Sequence, residues 1–526
     1  MQHYLRRRPG QRAARGAPGR EDGGDEVQNR KRAGLGAIAA ATAAVAGASL
    51  VAGCGSETKA DNEVRNIIYL LGDGMGRSHV TAARQRFVGA GGRLTMEQLP
   101  YVGAVSTYAV EPGSAEPSLV TDSASAATAW ASGVKTYNAA IGVDAFGKAV
   151  PTLMEQAKAA GFATGNVSTA EITDATPAAM VSHTLLRGCQ GPTYSESTCL
   201  PKKSEGGYEA QPADKTLVTP IAEQIARGNT ADVLFGGGLA RFEPEDQKAM
   251  QDNGYEVLGS MGDPALKAQT PESQRVATAA DLKAVTAKKV IGLFNRGNMT
   301  VTNSRDALPD SAPQKQEPTL AAMTTKAIDL LSNTKGGKGF LLQVEGALID
   351  KRSHANDAAQ TLDEVKAFDD AVAAAVDFAK KDGHTMVIVT ADHECAGFNI
   401  IEKGTFTNAE AVAPPTNVDA TNPANNGKPG RDGKDNVKDP ARSTGVVNGA
   451  GQADPRDFAP ATFRTPDDPA EVKDGSPEAS LWLTYLSGNH TGADVQVYAY
   501  GPGAQVFAAN QDNTSLYAKM HKALLP

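Results

Sequence analysis

Ser123 lies in Thr121-Asp122-Ser123-Ala124-Ser125-Ala126-Ala127-Thr128-Ala129-Trp130, where small, helix-favouring residues follow the hydroxyl directly. The run predicts a loop ending at Ser123 and a helix behind it, aiming unpaired backbone N–H groups and the positive end of a helix dipole at that hydroxyl. Such a place binds a phosphate and favours a Ser alkoxide. A plain N-cap role for Ser123 or Asp122 is the competing reading. Acids and histidines elsewhere bear on the choice. Asp73, Glu345 and Asp392-His393 each follow an apolar run, Asp350 and His354 stand four apart so that one helical face presents both, and His490 sits in Gly488-Asn489-His490-Thr491-Gly492. Nitrogen with carboxylate suits zinc, and carboxylate with hydroxyl oxygen suits magnesium. A Ser-His-Asp arrangement stays formally open. Ser123 is in no Gly-x-Ser-x-Gly elbow, however, and the surplus of acids around His points to metal activation of a Ser or a water. Arg187, at the end of the helix expected after Pro177, offers a planar fork for two phosphate oxygens. His79, His183 and His384 lack such company and read as ordinary polar residues.

These residues need elements to carry them. Val64 to Gly72 reads as a buried strand running into Gly72-Asp73-Gly74-Met75-Gly76. Helices are expected at Thr152–Ala160, Pro177–Leu186, Leu217–Arg227, Leu320–Leu331, Ala358–Lys380 and near Leu516–Leu525. Strands are expected at Phe162–Val167, Asp232–Phe235, Phe340–Val344, Thr385–Thr390 and Val495–Tyr500, with regular structure also over Leu481–Leu486. Strands spaced by helices imply an α/β fold: three layers, α/β/α, around a large, mostly parallel central sheet. In such sheets ligands gather at the carboxyl ends of strands, so acids far apart in sequence can converge there. Residues 402–480 break the rhythm with Pro, Asn, Asp and Gly clusters and read as an inserted surface region. Its Asp432-Gly433-Lys434-Asp435 lacks a complete calcium-loop pattern.

The leader sets the compartment. Residues 1–32 carry nine Arg or Lys and four Asp or Glu, and 33–53 carry no charge, so the net −8 becomes −13 for the remainder. An acidic body argues against nucleic acid as a partner. Arg30-Lys31-Arg32 before an Ala-rich apolar run, closed by Val51-Ala52-Gly53-Cys54, gives residues 1–53 the form of an export signal with a lipobox. The pattern resembles that of lipoproteins, which implies Cys54 as the acylated first residue, 54–63 as a tether and 64–526 as the folded domain, with a transmembrane anchor as the other reading of the apolar run. Cys189 and Cys199 enclose a short Gly/Pro/Ser loop and can pair in an oxidising space. Cys395 is left over, either a small buried hydrophobe or a thiol that influences the metal site.

Taken together, GDGMG at 72–76, TDSASAATAW at 121–130, STAEITDATP at 168–177, VEGALIDKRSH at 344–354, TADH at 390–393 and HTG at 490–492 make the chain resemble bacterial alkaline phosphatases. The likeness runs from about Val64 to Ile400 and again from Leu481 onward. It implies Ser123 as a nucleophile forming a phosphoserine, and Arg187 as the phosphate clamp, oriented by Asp122. It implies two zinc ions and one magnesium per subunit. Asp350, His354 and His490 would hold one zinc, and Asp73, Asp392 and His393 the other. Asp73, Thr176 and Glu345 would hold the magnesium, with Asp174 and Lys351 tuning that metal and the phosphate through water. Three features depart from the pattern: Cys395 where a His is common, Arg77 in place of an acid, and no second disulfide.

The resemblance implies a phosphomonoesterase of broad range, alkaline optimum and homodimeric assembly, located outside the cytoplasm, periplasmic or lipid-anchored at the cell surface and open to release. A phosphodiesterase, phosphonate hydrolase or antibiotic-phosphate phosphatase on the same fold is the enzyme alternative. A lipid-anchored phosphate- or metal-binding protein is the non-enzyme alternative.

Overall fold

The computed structural model describes residues 63–201, 218–333, 337–405 and 460–525. The export signal, Cys54 and 406–459 therefore lie outside the described residues. Ten strands, β1 (Asn66–Gly72), β2 (Tyr101–Ser106), β3 (Ala163–Glu171), β4 (Val233–Gly237), β5 (Glu256–Leu258), β6 (Val290–Leu293), β7 (Phe340–Gly346), β8 (Thr385–Thr390), β9 (Val495–Tyr500) and β10 (Asn510–Asp512), form one sheet. Its order is β10-β2-β9-β8-β1-β7-β3-β4-β6-β5, and only β9 runs against the others. Consecutive residues Ile67 to Leu71 are all 0% exposed, which requires cover on both sheet faces.

Two groups of helices supply that cover. On one side α1 (Arg77–Val88), α4 (Leu320–Ser332), α5 (Leu348–His354) and α6 (Ala358–Asp382) pack together. On the other are α2 (Ser123–Ser132), α3 (Leu153–Ala159) and α7 (Thr514–Leu524). The expected three-layer α/β architecture is the observed one. α2 can lie wholly buried because its side chains are small, and only Trp130 is large, its indole N–H meeting Gln343 Oε1 at 3.1 Å. Asp122 caps the helix by accepting from the Ser125 N–H, and Gly133 ends it in the left-handed conformation at φ 76°.

Register decides what meets at the strand ends. Leu71 lies opposite both Thr390 and Glu345, and Glu345 opposite Ser168, so these four residues stand level across four adjacent strands. Two expected helices differ. Pro177–Leu186 is only a single turn, Ala175–Ala178. Buried amides capture the carbonyls a longer helix would use, Gln343 donating to Thr176 O at 3.0 Å and Asn166 to Pro177 O at 2.7 Å, while Thr184 pairs with Ile141. Arg187 therefore sits in a turn, not at a helix end. The helix expected from Leu217 starts at Ile221, behind Pro220.

The described ends of the 402–480 region are partly regular. Ala461–Phe463 pairs antiparallel with Leu481–Thr484, which pairs in turn with Asn399–Ile401. Glu394–Cys395 pairs with His490–Thr491 and sets Cys395 opposite His490.

Candidate active site

The loops after β1, β3, β7 and β8 and the start of α2 converge on a cleft of about 570 Å³, lined by Val120, Ser123, Asn138, Arg187, Lys351 and His490 among others. Ser123 Oγ stands 3.2 Å from His393 Nε2 and 3.4 and 3.5 Å from the two oxygens of Asp73. Asp392 Oδ2 contacts the same nitrogen of His393, at 3.0 Å, while His393 Nδ1 is buried without a hydrogen-bond partner. In a Ser-His-Asp triad the acid holds the nitrogen opposite the serine, so this is not a triad.

Beside it, α5 presents Asp350 and His354 from one face, with Asp350 Oδ2 3.1 Å from His354 Nε2 and Asp350 Oδ1 3.5 Å from His490 Nε2. Each ring commits its other nitrogen to a carbonyl: His354 Nδ1 to Gly488 O at 2.6 Å, and His490 Nδ1 to Thr121 O at 3.0 Å. That tautomer leaves both Nε2 lone pairs facing inward, the arrangement of metal-bound imidazoles. His393 stacks on His490 with ring centroids 3.6 Å apart.

The acids are too close for comfort without a cation. Burial, then the charges of Asp392, Asp350 and Glu345, raise the pKa of Asp73 well above the carboxylate range. Burial likewise pushes Glu345 up to about 7, although Ser168 donates to it and the buried Thr176 hydroxyl, short of a well-formed hydrogen bond, also holds it down. Asp350 and Asp392 are held low because their histidine partners outweigh burial. Asp350 Oδ1 and Asp392 Oδ2 are buried without hydrogen-bond partners. Unsatisfied oxygens, inward lone pairs and crowded carboxylates are what bound cations would resolve, so the residues fit metal ions. Asp350, His354, His490 and Cys395 offer ligand atoms within 4.8 Å of one another, as do Asp73, Asp350 and His393.

Gly74 makes this crowding possible. At φ +67° it accepts a turn that L side chains resist, and a Cβ there would come within 2.8 Å of both Asp350 Oδ1 and Cys395 Cβ. Its N–H donates to Asp392 Oδ1 at 2.9 Å. Cys395 is fully buried, with Sγ 3.8 Å from Asp350 O.

On the cleft's other wall, Arg187 reaches Asp122 Oδ2 at 3.1 Å and Asp174 Oδ1 at 2.9 Å, and Lys351 Nζ meets Asp174 Oδ2 at 2.9 Å. Burial opposes the charge on Asp174, but Lys351 and Arg187 hold its pKa far below the ordinary value.

All the expected ligand and phosphate-binding positions from 73 to 490 thus lie in this one region. His79 bonds Ser353, and His183 bonds Glu155 and Gly142 O, as ordinary polar residues. Cys189 and Cys199 form a disulfide. Two neighbours were not singled out from the sequence: Asn138, a polar residue in a turn, and Ser168, the first residue of the 168–177 motif, which strand register sets against Glu345.

The alkaline phosphatase family model matches residues 64–525. The chain is 38% identical to the alkaline phosphatase of Escherichia coli strain K12 over 487 residues, covering 89% of this chain and 88% of that one. It is also 38% identical over 348 residues to the streptomycin-6-phosphate phosphatase of Streptomyces griseus, covering 62% and 73%. A cold-active alkaline phosphatase from the psychrophile Shewanella sp. superposes with a TM-score of 0.58 at 26% identity, over 88% of this chain and 100% of that one.

Proposed function

The chain belongs to the alkaline phosphatase family, and from that premise we propose the roles by which its residues hydrolyse phosphomonoesters. Metal-dependent monoester hydrolysis is the activity of the family. The observation that carries the role of Ser123 is its place: a hydroxyl at a buried helix start, facing His393 and Asp73 with no triad behind it.

In this reading Asp350, His354 and His490 hold one zinc, and Asp73, Asp392 and His393 the second. Asp73, Thr176 and Glu345 hold a magnesium. Such ions, when bound, lower the pKa of a hydroxyl or water and offset charge on the attacking and leaving oxygens. Arg187, kept in plane by Asp122, grips two phosphate oxygens, and Lys351 and Asp174 set the charge behind them. Ser123 Oγ loses its proton and forms a bond to phosphorus in line with the breaking bond to the leaving alcohol, which takes up a proton. A water then attacks the phosphoserine, releasing inorganic phosphate and restoring the hydroxyl. Two inversions retain configuration at phosphorus.

The test uses the metal-loaded full chain. Isotopically labelled monoester should mark the wild type at one serine and leave Ser123→Ala unlabelled and inactive. Hydrolysis retained by Ser123→Ala would overturn the nucleophile assignment. Similarity to the streptomycin-6-phosphate phosphatase favours an antibiotic phosphate as a second substrate reading. Rates on that compound, a simple monoester and a diester separate the alternatives. We further propose that the protein works outside the cytoplasm as a homodimer, acylated at Cys54 behind a signal over 1–53, with 54–63 as a tether to the catalytic domain. Among the described residues no helix is long and apolar enough to cross a membrane. Mass spectrometry of the mature start and sedimentation of the purified chain check these points.

A further inference from the structure

Asn138 is exposed, yet both polar atoms of its side-chain amide are engaged. Its Oδ1 accepts from the Asp122 N–H at 2.9 Å and faces Ser125 Oγ at 2.9 Å, while its Nδ2 donates to Val120 O at 3.0 Å. The partners fix which way the amide points, since a flipped group would set N–H against N–H. One side chain thus fastens the backbone on both sides of Thr121 and reaches across the first turn of the helix that carries Ser123.

The next residue continues the contact. Ala139 is a non-glycine residue at φ 73°, a conformation that costs about 1 kcal/mol or more and persists only where surroundings enforce it. In that conformation its carbonyl accepts from the Arg187 N–H at 2.7 Å. The Asp122 carboxylate in turn holds Arg187 NH1 at 3.1 Å. The pair therefore touches both the nucleophile's turn and the guanidinium's backbone, which are 64 positions apart between 123 and 187.

We propose that Asn138 and Ala139 form a clip that positions the phosphate clamp relative to the nucleophile, with Asn138 acting through Asp122 on Arg187. Neither residue touches the reacting atoms in this account, so both are positioning residues. The inference rests on the proposed roles of Ser123 and Arg187. Rigid placement matters here because a misplacement of about 1 Å can reduce turnover ~100-fold.

A double-mutant cycle on the metal-loaded full chain tests it, reading the inhibition constant of inorganic phosphate and the kcat/KM of a simple monoester. Asn138→Ala should weaken phosphate about 10-fold or more and lower kcat/KM at least as much. Its melting temperature should stay within ~2 °C of wild type, since an exposed amide is removed. In an Asp122→Ala background the same substitution should change the phosphate constant no further, as expected for residues acting in series. Asn138→Asp keeps the acceptor oxygen and should recover part of the phosphate affinity. Losses that multiply in the double variant, or an Asn138→Ala protein with wild-type phosphate binding, would overturn the clip. Failure of the underlying roles shows separately, as hydrolysis by Ser123→Ala or unaltered phosphate binding by Arg187→Ala.

Discussion

His354 and His490, 136 residues apart, face each other Nε2 to Nε2 at 3.1 Å, each ring anchored by Nδ1 on a backbone carbonyl. Two lone pairs at that distance repel unless a cation or proton lies between them. Among the described residues Asp350 is the acid bridging both rings, so the backbone carbonyls behind the rings and this carboxylate together prepare a positive-ion site.

A proton competes for that place. Burial would lower the His490 pKa, but the Asp350 hydrogen bond and charge raise it to about 9. Because the metal-free ring is protonated below that value, zinc affinity at this site should climb with pH up to about 9 and level off above it. Calorimetry in buffers of different ionisation enthalpy should find a proton released at pH 8 and much less at pH 10. Affinity that is flat across this range would refute the linkage.

Gly74→Ala should damage the site and the fold together. The positive φ adds roughly 1–2 kcal/mol of strain, and the new Cβ would strike Asp350 and Cys395. Metal analysis should show loss of about one equivalent of bound metal with a lowered unfolding midpoint. A fully loaded, equally stable variant would sink this account of the turn.

Glu364 offers a pH test away from the metals. It is buried on α6, accepts from the Thr302 N–H, and burial pushes its pKa up to about 7. With the folded value above the unfolded one, the group favours the fold fully below about pH 4.5, and this is lost as pH rises to about 7. Glu364→Gln should match wild type near pH 5 and exceed it above pH 7 by up to ~3 kcal/mol. Denaturant midpoints at both pH values decide it, and a variant no more stable at alkaline pH contradicts the sign.

The Cys189–Cys199 bridge closes a short loop two residues beyond Arg187. Reduction, or Cys189→Ser with Cys199→Ser, should remove about 2–3 kcal/mol of stability and raise KM by loosening Arg187. An unchanged unfolding midpoint with and without reductant would show that the loop is held otherwise.

Much of this was legible in one chain. The Ala-rich run behind Ser123 marks a helix start because propensity and capping are local properties, and α2 begins at that residue. Asp73, Glu345 and Asp392 were readable as strand-end acids because a both-sides-buried strand shows as an apolar run. The spacing of Asp350 and His354 foretold a shared helical face. The Pro177–Leu186 helix failed because Gln343 and Asn166, supplied by neighbouring strands, capture its carbonyls.

What the sequence determined by itself was the alternation of elements, the helix start at Ser123 and the residue types at the strand ends, since these follow from periodicity and propensity over a few residues. Only the tertiary structure decided that His354 and His490 face each other, that His393 is no triad base, that Arg187 sits in a turn on the cleft wall, and that Asn138 fastens the turn before Ser123. Those relations depend on strand order and register between segments hundreds of residues apart, and no local pattern encodes either.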